Sequence, residues 1–387
     1  MESASSRWTV TPGGDTVTAR RMIYYLVTLE YTHTMRTFLD HWAGDLQGRI
    51  RIVPYNEAFH APELPVGTYI FSDLERMLPA EMETATQVWN QLHAAGARLL
   101  NHPTRTLRRY DLLTMLYANG RNRFRVAHAT DRATELHFPV FVREESDHAG
   151  SITKLITNRR KLDDALAGAM VRGHRLTNLL VEEYCDTSDA NGIFRKHSAF
   201  VVGGRVVPCH VDCSRGWVVK DTDLVSPEVM EEERRYLETN PHRQWLEETF
   251  ALAGVDYGRI DYSLLGDAPQ VWEINTNPIV ILHPDNYSEI HMPVKRMFAE
   301  RIRPAFEAID TVTPGRTIAL SVPPLLLSRL KKESNRRRRA LKRHQQVKRI
   351  SRSVPFRLVR GIARPVLTAI SPLVARMGGG GSVAKPH

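Results

Sequence analysis

The residues of this sequence that could do chemistry together are concentrated in residues 258–278, GRIDYSLLGDAPQVWEINTNP. Segments 259–265 and 270–275 have strand composition and flank a turn at 266–269, so the stretch reads as a β-hairpin. Glu273 and Asn275 are two apart and share one side of their strand, and the hairpin brings Asp261 of the other strand close to them. Three converging oxygen donors suit a hard cation such as Mg²⁺, which keeps some of its waters and shares its remaining positions with phosphate oxygens. Arg259, two residues before Asp261, puts a guanidinium on the same side, where it can clamp an oxyanion. The same spacing also describes a solvated hairpin face with an ordinary ion pair.

The elements that must position these residues are legible from periodicity. Segments 22–29, 49–54 and 67–71 are β-branched or aromatic runs. Residues 79–95 have helical spacing, with Met82, Ala85, Val88, Trp89 and Leu92 on one face and Gly96 as the stop, and 97–101 is a further strand. This alternation predicts a small open α/β domain over residues 1–104, without a GxGxxG dinucleotide fingerprint. A second helix follows at 106–119, then strands at 140–143, 153–157 and 178–184 with a helix at 159–172. Strands 196–202 and 205–211 flank Gly203-Gly204, a strong hairpin signal. A long acidic helix at 227–254, broken near Pro241, leads into the 259–275 hairpin. Residues 105–313 are therefore expected to form an α+β domain, and 314–387 a basic tail, partly helical or disordered.

The order Arg259, Asp261, Glu273, Asn275, Pro278 resembles the strand pair that closes the active site of the ATP-grasp superfamily, R-x-D followed by E-x-N-x-x-P. The similarity is nearest to the carboxylate–amine ligases, including D-alanine–D-alanine ligase, glutathione synthetase and the peptide glutamate ligases. It extends more weakly over residues 101–278. It implies an ATP-grasp fold with two ATP-clamping lobes and a reaction in which ATP phosphorylates a carboxylate that an amine then attacks. It further implies that Asp261, Glu273 and Asn275 hold two Mg²⁺ ions, with Mn²⁺ as a substitute, and that Arg259 steadies the acyl-phosphate. By the same resemblance Arg109 and Arg143 stand where the family has phosphate-binding lysines, and the two forks need different geometry from an ammonium. Gly150 and Ser151 fall in the flap over the phosphates. Glu182 and Glu183 fall at the adenine edge, Asp189 near the ribose, and His210 and Lys220 near the triphosphate. Two alternatives stay open: an inactive or nucleotide-sensing protein of this fold, and a kinase of this fold. Residues 276–283 lack the glycine usual in D-alanine-type ligases, so that acceptor pocket does not transfer.

Cys209, His210, Asp212 and Cys213 superficially suggest zinc, but strand alternation sets 209 and 213 against 210 and 212, so buried free cysteines are expected. Three cysteines, an odd number, argue for a reducing compartment, and the absence of an apolar signal or a span of ~20 apolar residues for a cytoplasmic protein. The formal charge of +10 is unevenly spread: residues 329–387 carry 17 Lys+Arg and one acid, leaving the body mildly acidic. The interleaved aliphatic residues of 353–377 favour an anionic membrane surface or a partner protein over nucleic acid, with peripheral membrane attachment as the consequence. A solubilising tail accounts for the same composition, and the 378–381 glycines read as flexible.

Overall fold

The computed structural model describes residues 20–131, 133–220, 223–313 and 315–351. The described residues divide into two units, one of residues 20–108 with Thr187–Lys331, the other of Arg109–Asp186 with residues 332–351. The expected α/β start and α+β remainder are both present.

In the first unit, strands β1 (Ile23–Val27), β2 (Ile50–Pro54), β3 (Thr68–Phe71) and β4 (Arg98–Leu100) form a parallel sheet in the order β2-β1-β3-β4. β1 is a continuous apolar run because both of its faces are covered. Ile23, Tyr25 and Val27 join Met35 and Phe38 of helix α1 (His33–His41) in one core. Tyr24 and Leu26 join Ala85, Val88 and Leu92 of α2 (Pro79–Ala94) in another. Pro79 opens α2, and Glu81 caps it by accepting from the Leu78 N–H at 2.8 Å. The strand order reverses between β1 and β3, and open α/β sheets bind ligands beyond their carboxyl ends at such a point.

The second unit holds α3 (Arg109–Ala118), β5 (Val126–His128), β6 (Val140–Glu144), α4 (Arg159–Val171) and β7 (Leu179–Glu183), with the antiparallel order β5-β7-β6. Leu162, Leu166 and Ala169 of α4 cover Val140, Val142 and Val181. Residues 153–157 do not form the expected strand. Instead the Thr153 hydroxyl oxygen accepts from the Val142 N–H at 3.0 Å, the Ser151 hydroxyl donates to the Val142 carbonyl at 3.2 Å, and only an isolated bridge links Ile156 to Val140. Side chains have taken over ladder positions.

The first unit resumes with β8 (Phe194–Val202) and β9 (Arg205–Ser214), joined through Gly203 and Gly204, both at positive φ (59° and 86°) as this two-residue turn requires. The long acidic helix is in fact two, α5 (Pro227–Thr239) and α6 (Arg243–Ala253), separated at Asn240, which is left-handed just before Pro241. Strands β10 (Tyr257–Leu265) and β11 (Ala268–Asn275) complete an antiparallel sheet in the order β9-β8-β10-β11, followed by α7 (Met292–Ile309). Phe200, Val202 and Tyr257 share a core with β1, α1 and α7, so the unit's two sheets are packed as one body.

Residues 315–331, placed in the tail by composition, belong to the first unit. Thr317–Ala319 pairs with Glu63–Pro65, and Leu326 and Leu330 of α8 (Pro324–Ser351) enter the core under α2. The readings made for 353–377 and 378–381 lie outside the described residues. Among the described residues, no helix is long and apolar enough to cross a membrane.

Asn101, at the end of β4, ties the two sheets together. It is fully buried at φ 63°; its Oδ1 accepts from the Asp256 and Tyr257 N–H groups at 2.8 and 3.0 Å, and its Nδ2 donates to the Phe71 and Tyr257 carbonyls at 3.1 and 2.8 Å. Asn101→Ala orphans these groups and leaves a β-carbon in left-handed backbone, so it should cost about 3 kcal/mol in urea unfolding.

Candidate active site

Pairing through the tight turns would not by itself assemble the hairpin residues. From the turn, Leu265 pairs with Ala268 and Tyr262 with Val271, a register that would set Glu273 against Ile260, on the face opposite Asp261. A one-residue bulge at Trp272 shifts the ladder, so that Asp261 pairs with Glu273, Ile260 with Ile274 and Arg259 with Asn275. Directly paired antiparallel residues share a face, so Arg259, Asp261, Glu273 and Asn275 stand together. The Trp272 indole donates to Ser263 Oγ at 2.9 Å and pins the bulge. Gly258 permits the close pairing, since a β-carbon there would lie 2.8 Å from the Asn275 carbonyl oxygen.

A second bulge, at Cys209, does the same on the other side of the sheet. Ala199 pairs with Pro208, but Ser198 pairs with His210 and Lys196 with Asp212. Because Ser198 also pairs with Asp261, one cross-strand row reads His210, Ser198, Asp261, Glu273. The next row carries Phe200, Arg259 and Asn275. The reverse face is aromatic, with His197 stacked on Tyr262 at 5.3 Å. There burial, with His242 nearby, drives His197 down to about 3.

The electrostatics of the first face are tightly balanced. The Arg259 guanidinium grips both Asp261 oxygens, at 2.9 and 3.2 Å, while Ser198 Oγ donates to Asp261 Oδ1 at 2.8 Å. Burial would lower Arg259, yet Asp261 beside it holds it above its ordinary value. Lys196 Nζ lies 3.1 Å from Asp212 Oδ2 and donates to the Val219 carbonyl at 3.0 Å. Burial opposes its charge, and Asp261 and Asp212 restore it. His210 Nε2 is 3.4 Å from the same Asp212 oxygen and its Nδ1 is 3.1 Å from Cys209 Sγ. Against burial, Cys209 and Asp212 push His210 up to about 9.

These residues fit a divalent cation. Asp261, Glu273 and Asn275 are all oxygen donors and all buried, and both Asp261 oxygens are engaged by the Arg259 guanidinium. Among the described residues, no group of three or more His, Cys, Asp or Glu is arranged to hold a metal, so the zinc reading of residues 209–213 has no support. Cys209 and Cys213 are free and buried, as expected. They do not face the same way, because the bulge turns Cys209 beside His210.

Several family-implied residues are engaged locally. Arg109 Nη1 donates to the carbonyls of Glu144, Glu145 and Asp147 at 2.6–2.8 Å, so this arginine anchors the loop after β6. Arg143 lies across from Glu182, 3.8 Å apart, in the interior of the second unit. Glu183 points the other way and accepts from the Arg125 and His137 N–H groups at 2.8 and 2.6 Å. Gly150 adopts φ 84°, and the Ser151 hydroxyl donates to the Thr153 carbonyl at 2.7 Å. Asp189 closes a turn by accepting from the Asn191 and Ile193 N–H groups, and its bond to Arg195 leads the interactions that hold it at about 2. Lys220 is exposed. Lys196 and Ser198 escaped the sequence reading; their alternation on the 196–202 strand was the available signal.

No protein-family model matches the sequence, and no curated protein does. Similar solved structures include the D-alanine–D-alanine ligase of Bacillus anthracis, 13% identical, covering 74% of this chain and 99% of that one, TM-score 0.42. The L-amino acid ligase of Bacillus licheniformis is 14% identical, covering 67% and 69%, TM-score 0.40. A RimK domain ATP-grasp protein of Sphaerobacter thermophilus is 12% identical, covering 72% and 98%, TM-score 0.41. The chain is similar to ATP-grasp ligases.

The His210–Asp212 pair predicts a pH dependence of stability. A folded-state value of about 9, above the ordinary 6.5 of histidine, means that the folded protein binds the extra proton more tightly. The stabilisation is full below pH 6.5 and is lost as pH rises through about 9. Melting temperatures should therefore fall over this window in the wild type, and fall less in His210→Gln.

Proposed function

We propose that this chain is an ATP- and Mg²⁺-dependent ligase of ATP-grasp type that joins a carboxylate to an amine through an acyl-phosphate. The observation that carries the proposal is the bulge-set register of β10 and β11, which pairs Asp261 with Glu273 and Arg259 with Asn275 on one face. Asp261, Glu273 and Asn275 would hold Mg²⁺, which when bound neutralises phosphate oxygens. In the reaction the γ-phosphoryl group passes to the substrate carboxylate and ADP leaves; the amine nitrogen then bonds to the acyl carbon and phosphate leaves.

The chain's own contribution is positioning and charge. Arg259 is held by Asp261 through Nε and Nη2, which fixes its guanidinium on the face where an oxyanion would be neutralised. Lys196 and His210, both kept cationic, add positive charge along the same face, and Asp212 fixes their orientation. The low exposure of Asp261, Glu273 and Asn275 limits competing water. In the second unit Arg109 orders the loop of residues 144–148, so its role is to shape a flap by bonding its backbone carbonyls.

That engagement of Arg109 also favours, as a second reading, a protein that binds nucleotide without joining substrates. ADP release screened against amino acids and small carboxylates separates the two. Acceptor-dependent release that falls about 100-fold or more in Glu273→Gln is the expected result. Turnover unchanged in both Glu273→Gln and Asp261→Asn would sink the ligase reading.

A further inference from the structure

The strand that carries Glu273 and Asn275 does not end in a free loop. Thr276 and Asn277 follow at once, and both are buried. Thr276 Oγ1 accepts from the Leu74 N–H at 3.0 Å and donates to Glu75 Oε2, both in the segment just beyond β3. Asn277 accepts at Oδ1 from the Tyr25 and Thr34 hydroxyls, each at 2.6 Å, from β1 and α1. Its own N–H donates to Asn275 Oδ1 at 2.7 Å, which sets the direction of the Asn275 amide. The Asn277 Nδ2 is buried with no hydrogen-bond partner among the described residues. An unpaired buried donor is costly, and nothing else in the core around it uses that group. The amide acts through its other end, where Oδ1 accepts from Tyr25 and Thr34 and holds the chain in place.

The acceptor of the Thr276 hydroxyl is itself held in place. Asp73 is fully buried in left-handed backbone (φ 60°) at the end of β3, bonded to Thr28 beyond β1 and to Arg76. Arg76 lies over the Tyr31 ring, 4.2 Å from its centre, and 3.8 Å from Glu75. A non-glycine residue in that backbone region is retained only where its surroundings impose it. The carboxyl ends of β1 and β3 thus form a rigid polar seat, and Thr276 is bonded into it.

We infer that Thr276 is a positioning residue of the candidate site: by seating the end of β11 in the Glu75–Leu74 segment, its hydroxyl fixes the Asn275 amide and through it the affinity for a divalent cation. This rests on the reading of Asn275 as a cation ligand. A group bonded to a metal ligand, as the Asn277 N–H is to Asn275 Oδ1, typically changes metal affinity tenfold to a hundredfold, and the Thr276–Asn277 peptide that carries it is held by the Thr276 hydroxyl. A hydroxyl that only filled the core would change stability alone.

The test is Mn²⁺ binding to the full chain in the presence of ADP, followed by the electron paramagnetic resonance signal of free Mn²⁺. Thr276→Val keeps the shape and removes the hydroxyl; Thr276→Ser restores it. Thr84→Val is the control, since Thr84 is a fully buried threonine on α2 whose hydroxyl donates to the Ala80 carbonyl of its own helix. Melting temperatures of all variants show that each is folded. Thr276→Val should weaken Mn²⁺ binding about tenfold, with Thr276→Ser and Thr84→Val near wild type. Wild-type binding with unchanged affinity in Thr276→Val overturns the positioning role alone. A wild type that binds no Mn²⁺ with ADP overturns the cation-site reading itself.

Discussion

The candidate site depends on one departure from strand regularity. Side chains alternate with a period of two, so a register error of a single residue sends every donor of a strand to the wrong face. The Trp272 bulge supplies that single residue, and it brings Glu273 and Asn275 to the face of Arg259 and Asp261. The Cys209 bulge repeats the device on the other hairpin and brings His210 and Asp212 into line with Ser198 and Lys196. Between the bulges the sheet presents chemistry on one face and His197 stacked on Tyr262 on the other, and the chemical face could not be assembled without them.

A face so rich in charge must be both neutralised and immobile. Each cation is set against a carboxylate: Arg259 against Asp261, and Lys196 and His210 both against Asp212. Each group is desolvated enough to need its partner, which is why burial and pairing pull the same side chains in opposite directions. Immobility comes from the parallel sheet. Asn101 fastens the start of β10, and Thr276 and Asn277 fasten the end of β11, all to the carboxyl ends of β1, β3 and β4. The first unit is therefore a platform whose two sheets hold the hairpin at both ends. The charge of the whole chain says little about this face, because the excess of lysine and arginine lies from residue 329 onward.

Much of the fold was legible because it follows from periodicity. The apolar run of β1, the α2 stripe bounded by Pro79 and Gly96, and the Gly203-Gly204 turn carry their own signals. Residues 153–157 misled because hydroxyl side chains occupied the ladder, and β-branched composition cannot reveal that competition. The 227–254 helix split where a left-handed Asn240 precedes Pro241, as the proline suggested. Residues 315–331 were grouped with the basic tail because the neighbouring charge hid Ile318, Leu326 and Leu330, which pack on the first sheet.

The sequence alone determined the donor types and their order: an arginine, an aspartate, a glutamate and an asparagine on two strands joined by a short turn. That order sufficed to suggest oxygen-rich cation chemistry and the family resemblance. Only the tertiary structure decided which of these side chains face together. A bulge leaves no periodic trace, and strict alternation from the turn would have separated Asp261 from Glu273. It also decided which charges are spent internally. Arg109, Glu183 and Asp189 look free in a string of letters and are bound to backbone groups in the fold. Long-range hydrogen bonding fixes these assignments, and spacing along the chain carries no information about it.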